Sequence, residues 1–321
     1  MAGMRQTVTI VIVNWNSGAL LRECLAHCLR QTVPADAILV VDNASQDNSL
    51  DGVDALPGVT VMPMERNLGF AAANNRAIAQ CTTDWVLLLN PDAFAEPGWM
   101  AALLAAAAER PNVVAFGSRQ MQHGKPGILD GIGDSYYISG QILRDRYQQP
   151  CRPEDLVARE IFSPCAAAAM YRLDAVRQCG GFDEDFFCYA EDVDLGFRLR
   201  LAGHSSWYVP DAVVWHMGSA TVGGQHSDFA TYYGHRNLVW VFVKNMPGPL
   251  FWPLLPIHVC MNVASFFRLS RRGQASVGWR AKRDALRGLP AMWRHRTLIQ
   301  RAARVNARHV WNFLSKRIFS G

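Results

Sequence analysis

The stretch VLLLNPDAF (86–94) ends an apolar run in Asn90-Pro91-Asp92. Pro91 has no N–H to give a strand ladder, so the run stops there and leaves Asp92 at its end. A turn accounts for Asn-Pro-Asp by itself. A carboxylate at the end of a buried strand is nevertheless costly unless something pairs with it, which makes Asp92 a candidate ligand-binding group. A second stretch, GGFDEDFFCYAEDVDLGFRLRLAGH (180–204), puts six carboxylates (Asp183, Glu184, Asp185, Glu191, Asp192, Asp194) within twelve residues, beside Phe182, Phe186, Phe187 and Tyr189. Acidic residues opening a helix complement its dipole. A carboxylate walled by aromatic rings can also be tuned as a general base. A third stretch, DAVVWHMGSA (211–220), ends an apolar run in His216, which with Asp92 could complete a hard-metal site whose other ligands are diphosphate oxygens and water. Arg198, about one and a half turns beyond Asp192, is expected to face solvent.

These residues need elements to hold them. Short apolar, β-branched runs at TVTIVIVNW, AILVVDN (37–43), VTVMPM (59–64) and WVLLLN (85–90) predict strands. Between or after them, GALLRECLAHCLRQ, AAANNRAIAQC and PGWMAALLAAAAER predict helices. Alternating strands and helices imply an α/β fold with a mostly parallel central sheet and flanking helices, in which ligands sit beyond the carboxyl ends of the strands. Asn14, Trp15 and Asn16 follow the first strand, Asp42 and Asn43 close the second, Asn67 and Gly69 follow the third, and Asp92 follows the fourth. Loops favour the same residue types, but four consecutive strands with polar groups at one end point to a shared site. Asp42 could accept from a nucleoside or simply close an Asx-turn.

Composition narrows the class. There is no G-x-G-x-x-G in the first βα turn and no G-x-x-x-x-G-K-[ST] anywhere, so a dinucleotide dehydrogenase and a P-loop NTPase both fit poorly. The eight cysteines lack zinc spacing, and no signal peptide precedes the first strand, so reduced thiols in a cytoplasmic protein are expected. The net charge of +5 hides an asymmetry: residues 1–250 carry 18 Lys/Arg against 26 Asp/Glu, whereas 251–321 carry 14 against Asp284 alone.

Taken in order, VTIVIVNWNS, VVDNASQDNS, NLGFAAANN, LLLNPDA, CAAAAMYR, GGFDEDFFCYAEDVDLGFRLRLAGH and VVWHMGSAT resemble the family 2 glycosyltransferases of GT-A fold, in particular bacterial rhamnosyltransferase-like members. The resemblance spans roughly residues 7–221. It implies that Asp42 binds the base with Trp15 nearby, and that Asn67, Gly69 and Asn75 shape the nucleotide-sugar pocket. It further implies that Asp92, with His216, binds the Mg²⁺ or Mn²⁺ that holds the donor diphosphate, that Asp192 is the catalytic base, and that Glu191 supports the acceptor side. Asn90 stands where relatives carry an aspartate, which makes the metal site less acidic.

The resemblance implies an inverting, metal-dependent transferase that moves L-rhamnose from a dTDP donor to a saccharide or polyprenyl-diphosphate-linked acceptor in cell-surface polysaccharide synthesis. A UDP-sugar donor is the runner-up. A sugar nucleotidyltransferase and a non-catalytic sugar-binding relative are the other classes. The catalytic domain is expected to span 1–245 and a basic, amphipathic helical extension 246–321. The apolar stretch 250–267 contains prolines, His258 and Asn262, which favours a helix or hairpin lying in a membrane interface over a span. The tail is expected to break near Gly288 and Pro290 and to meet an anionic membrane surface rather than nucleic acid, with a cap docked on the acidic body as the alternative. That places the protein peripherally on the cytoplasmic face of the inner membrane.

Overall fold

The computed structural model describes residues 5–218 and 227–317, so the Ser-Ala-Thr end of the histidine motif (219–221) lies outside the described residues. The chain starts with β1 (Val8–Asn14), α1 (Ala19–Leu29), β2 (Ala37–Asp42), β3 (Val59–Pro63), α2 (Gly69–Gln80), β4 (Trp85–Leu89), β5 (Ala93–Ala95) and α3 (Trp99–Glu109). It continues with β6 (Val113–Gln122), β7 (Leu129–Gly131), β8 (Asp134–Tyr136), β9 (Ile142–Arg144), β10 (Arg159–Ile161), β11 (Ala168–Arg172), α4 (Leu173–Gln178), α5 (Glu191–Leu201) and β12 (Ser205–His216). Four helices follow: α6 (Asp228–Asn245), α7 (Gly248–Arg271), α8 (Ala275–Ala302) and α9 (Ala307–Phe313).

The strands expected from apolar runs form the parallel half of the sheet, in the order β3-β2-β1-β4. β1 and β4, buried on both faces, read as continuous apolar runs rather than as alternation, whereas β3 at the edge is only partly buried. β11 then enters antiparallel between β4 and β6, and β12 lies parallel to β6, so the whole sheet is mixed. One core fills the α1/α3 side, including Ile10, Ile12, Leu25, Leu87 and Trp99; a second fills the α2/α4/α5 side, including Val11, Ala73, Val86, Tyr171 and Leu195. Each fully buried side chain of this size contributes about 1.5–3 kcal/mol, so the two layers fix the strand ends that carry the polar residues.

The expected boundary at 245/246 coincides with the end of α6. A third core nevertheless runs across it, joining Phe186, Val193 and Phe197 of the body to Trp240, Phe251, Met292 and Val310. The basic tail therefore docks one face on the body. Two expectations are corrected here. α8 passes through Gly288 and Pro290 without a break. An interior proline costs about 3 kcal/mol, but Ala285 and Met292 are buried on either side, and the Trp240 ring lies against Gly288, where a Cβ would come within 2.4 Å. Arg198 does not face solvent: it is 8% exposed, pairs with Asp194 at 2.8 Å and donates to the Cys179 carbonyl at 2.6 Å. A buried guanidinium must find such partners.

Candidate active site

The strand ends open onto a cleft of about 580 Å³ lined by Trp15, Asn67, Gly69, Asp92, Glu191, Asp192 and His216 among others. Sheet register puts Asp92 and His216 together. β12 pairs antiparallel with β5 so that His216 lies opposite Ala93, and the Met217 N–H donates to the Asp92 carbonyl. His216 Nε2 stands 3.3 Å from Asp92 Oδ1, while Nδ1 lies 2.8 Å from Asp130 Oδ2. That same Asp130 oxygen accepts from Arg144 Nη1 at 2.6 Å. Burial works to lower the His216 pKa, but Asp130 and Asp92 outweigh it and raise it to about 9. Arg144 and His216 in turn overcome burial and hold Asp130 below the usual carboxylate range.

A carboxylate oxygen and an imidazole Nε2 facing one cleft form a donor set suited to Mg²⁺ or Mn²⁺. Asp130 on Nδ1 fixes the ring and tautomer that such a site needs. The residues present therefore fit a divalent cation at Asp92 and His216.

Three further carboxylates that line the cleft, Asp134, Glu191 and Asp192, differ in environment. Burial and the Asp192 charge push both Asp134 and Glu191 well above the ordinary range. Burial also raises Asp192, but its oxygens accept from the N–H groups of Ala166 (3.0 Å) and Val193 (2.8 Å), and Arg144 is close enough to favour the charged form. Arg144 acts on Asp134 as well, so what sets Asp192 apart is the pair of backbone N–H donors on its oxygens, which favour its charged form against burial. Glu191 Oε2 is buried with no hydrogen-bond partner, leaving it open to a ligand hydroxyl.

The loop before this pair is strained. Phe187, Tyr189 and Ala190 have φ of 65°, 66° and 66°, and the Cys188 N–H donates to the Phe186 carbonyl in a γ-turn. Asn237 of α6, fully buried, clamps the loop: its Nδ2 donates to the carbonyls of Phe186 (3.0 Å), Cys188 (2.8 Å) and Tyr189 (2.8 Å). Gly69 completes the packing, since a Cβ there would stand 2.5 Å from the Phe187 ring and 2.6 Å from its carbonyl oxygen.

Not every expected residue reaches the cleft. Asn75 does not: its amide braces the loop at 182–184, donating to the Phe182 carbonyl and Glu184 and accepting from the Phe182 N–H. It lies more than one and a half turns along α2 from Gly69. Asp42 is buried behind the wall, with Asn14 Nδ2 on Oδ1 (2.9 Å) and the Ser45 N–H on Oδ2 (3.2 Å), and it is Asn43 that lines the cleft. The Asx-turn reading of Asp42 describes this geometry.

Comparison with known proteins gives the family and the fold. The sequence pattern described as "Glycosyl transferase family 2" matches residues 9–178, and "Glycosyl transferase family group 2" matches 157–272. The chain is a family 2 glycosyltransferase. It is 30% identical over 302 residues to the N-acetylglucosaminyl-diphospho-decaprenol L-rhamnosyltransferase of Mycobacterium tuberculosis, covering 84% of this chain and 97% of that protein. It is 24% identical over 229 residues to the O-antigen chain rhamnosyltransferase RfbN of Salmonella typhimurium, covering 70% of each. In fold this glycosyltransferase is similar to the mannosyltransferase PcManGT from Pyrobaculum calidifontis, solved with GDP-Man and Mn²⁺ (TM-score 0.57, 18% identity, 97% of this chain and 88% of that one). It is also similar to GalNAc-T7 with UDP, GalNAc and Mn²⁺ (TM-score 0.62, 16% identity, 75% and 48%). The fold is GT-A.

Asp130, Asp134, Arg144 and Asn237 carry the glycosyltransferase's site geometry without a sequence signal that singles them out. The first three sit on or beside strands of three residues, too short for periodicity to register.

Proposed function

We propose that this glycosyltransferase is an inverting, metal-dependent enzyme that transfers L-rhamnose from dTDP-rhamnose to a saccharide carried on polyprenyl diphosphate, at an anionic membrane surface. The observation that carries the reading is a single cleft lined by the Asp92–His216 pair and by Asp192, an ionisable group. Asp92 and His216 would hold a divalent cation, which as a Lewis acid would stabilise charge on the departing nucleotide diphosphate. Asp192 would take the proton from the acceptor hydroxyl as its oxygen attacks the anomeric carbon. One base and a direct displacement from the face opposite the leaving group invert that carbon. Glu191, whose buried Oε2 has no hydrogen-bond partner, would orient a sugar hydroxyl through that oxygen. Trp15, Asn67 and Gly69 line the part of the cleft where the nucleoside would lie, with Asp42 bracing the β1 turn from behind.

The donor and acceptor follow the relatives' names. A UDP donor is the second reading. Membrane association has its own support in the outer face of the tail. α7 exposes Trp252, Val259, Val263 and Phe267, and α8 exposes Trp279, Leu286, Trp293 and Leu298. Exposed arginines flank them, including Arg271, Arg280, Arg283, Arg287 and Arg294. Trp and Arg around an apolar stripe suit a helix pair lying in the headgroup region. α7 is long and apolar enough to cross a bilayer, yet Pro253, Pro256 and a face docked on the body favour lying flat.

The test is nucleoside-diphosphate release from a panel of sugar nucleotides, with Mg²⁺ or Mn²⁺ and a detergent-solubilised lipid-diphosphate acceptor. Release from one donor, lost in Asp92→Ala and in Asp192→Asn, is the expected result. Full turnover by Asp192→Asn would overturn the choice of base, and metal-independent turnover would remove the role of Asp92 and His216.

A further inference from the structure

The cleft is charged differently at its two ends. The catalytic end carries Asp92, Asp134, Glu191 and Asp192, with Arg144 and His216 already paired to carboxylates there. The other end, between α6 and α7, is lined by His235, Leu238, Met261, Ser265, Arg268 and Arg272, none of them acidic. Arg268 and Arg272 are four residues apart, so their side chains project from one side of α7 where it ends. Both are exposed, and among the described residues neither guanidinium forms an ion pair or a hydrogen bond.

A third cation stands behind them. Lys282 of α8 donates to the His235 carbonyl at 3.0 Å and to the Asn262 side-chain oxygen, and burial lowers its pKa to about 8. Burial pushes His235 down to about 4, with the charges of Lys282 and Arg268 adding to it. The dipole of a helix C-terminus favours basic residues, and that suffices for Arg271, which does not line the cleft. It does not account for two arginines on the cleft wall beside Leu238, Met261 and Leu269.

We propose that Arg268 and Arg272 form an anion subsite for the acceptor, holding the diphosphate of an amphiphile whose sugar reaches Asp192 and whose hydrocarbon chain leaves along the apolar wall of α6 and α7. This rests on the lipid-linked-acceptor reading of the same cleft. Two guanidinium forks match the oxygens of a diphosphate in a way that a single point charge does not. The donor's diphosphate belongs at Asp92 and His216, where its leaving oxygen must be stabilised, so the basic end is free for the acceptor.

The test compares two acceptors in the same detergent micelle: a sugar on prenyl diphosphate, and the same sugar on a neutral alkyl chain of equal length. In Arg268→Ala and Arg272→Ala the acceptor KM rises about tenfold for the diphosphate compound and less than about twofold for the neutral one, with donor KM unchanged. Equal losses on both acceptors, no loss on either, or a raised donor KM would each overturn the subsite. A readout without turnover separates this from failure of the acceptor reading: calorimetric binding of farnesyl diphosphate, with farnesol and inorganic pyrophosphate as controls. Binding of the prenyl diphosphate that the double variant weakens at least tenfold supports the subsite even if no sugar is transferred. Equal binding by wild type and double variant refutes it even if transfer is robust.

Discussion

Asn237→Ala removes the amide that holds the strained loop in front of the Glu191-Asp192 pair. Three residues of that loop sit at positive φ, each costing on the order of 1–3 kcal/mol for a non-glycine residue. Against that strain stand the contacts of one buried Nδ2 with three carbonyls at 2.8–3.0 Å. An amide has two hydrogens, so at least one contact is shared. The Phe186 carbonyl keeps its bonds from Arg236 and the Cys188 N–H, so the loss is two good bonds, about 2 kcal/mol, the same order as the strain being held. The loop should therefore relax toward ordinary backbone angles and carry the start of α5 with it.

The assay is a split between chemistry and binding. Asp92 and His216 sit on β4–β5 and β12, which Asn237 does not touch, so donor affinity measured by calorimetry should stay within about twofold. A displacement of about 1 Å at the base costs on the order of a hundredfold, so kcat should fall between tenfold and a hundredfold. Thermal stability should fall by several degrees. A variant that loses stability but keeps kcat within twofold would refute the clamp, because the loop angles would then not depend on Asn237.

Three further outcomes are expected. Asp130→Asn replaces the carboxylate that orients His216 Nδ1 and should weaken Mn²⁺ affinity about 10–100-fold, read by titrating metal-dependent turnover. Gly69→Ala combines a φ of +82° with a Cβ 2.5 Å from Phe187, and should destabilise by at least about 2 kcal/mol in denaturant unfolding while lowering turnover. His258 is held neutral: burial pushes its pKa to about 4, with Nδ1–H donated to the Ser139 carbonyl at 2.8 Å and Nε2 facing the Asn262 amide. Its native pKa lies below the unfolded value of about 6.5, so the unfolded chain binds the extra proton; stability is full above pH 6.5 and is lost as pH falls toward 4, by up to about 3 kcal/mol. His258→Gln should flatten that slope in pH-dependent unfolding.

What was legible in the sequence was what depends on near neighbours. Continuous apolar runs marked β1 to β4, helical spacing marked α1 to α3, and Pro91 marked the end of a strand. Because parallel strands present their carboxyl ends at one edge, Trp15, Asn67, Gly69 and Asp92 could be gathered into one site before any coordinates. His216 was flagged as the residue closing an apolar run, and the structure brings it to Asp92 through the pairing of β5 with β12.

The sequence by itself determined β1 to β4, α1 to α3, the edge of the sheet where their polar residues gather, and the family. Only the tertiary structure decided which polar groups were already occupied. Asn75, Asp42 and Arg198 have the same residue types as site groups, yet each is committed to partners the sequence does not reveal: Phe182, Asn14 and Cys179. The structure likewise supplied Asp130, Arg144 and Asn237, and kept α8 continuous through Pro290. The physical reason is the same in each case: burial makes an unpaired polar group or a broken helix more costly than the contact that satisfies it, and those contacts come from residues distant in the chain.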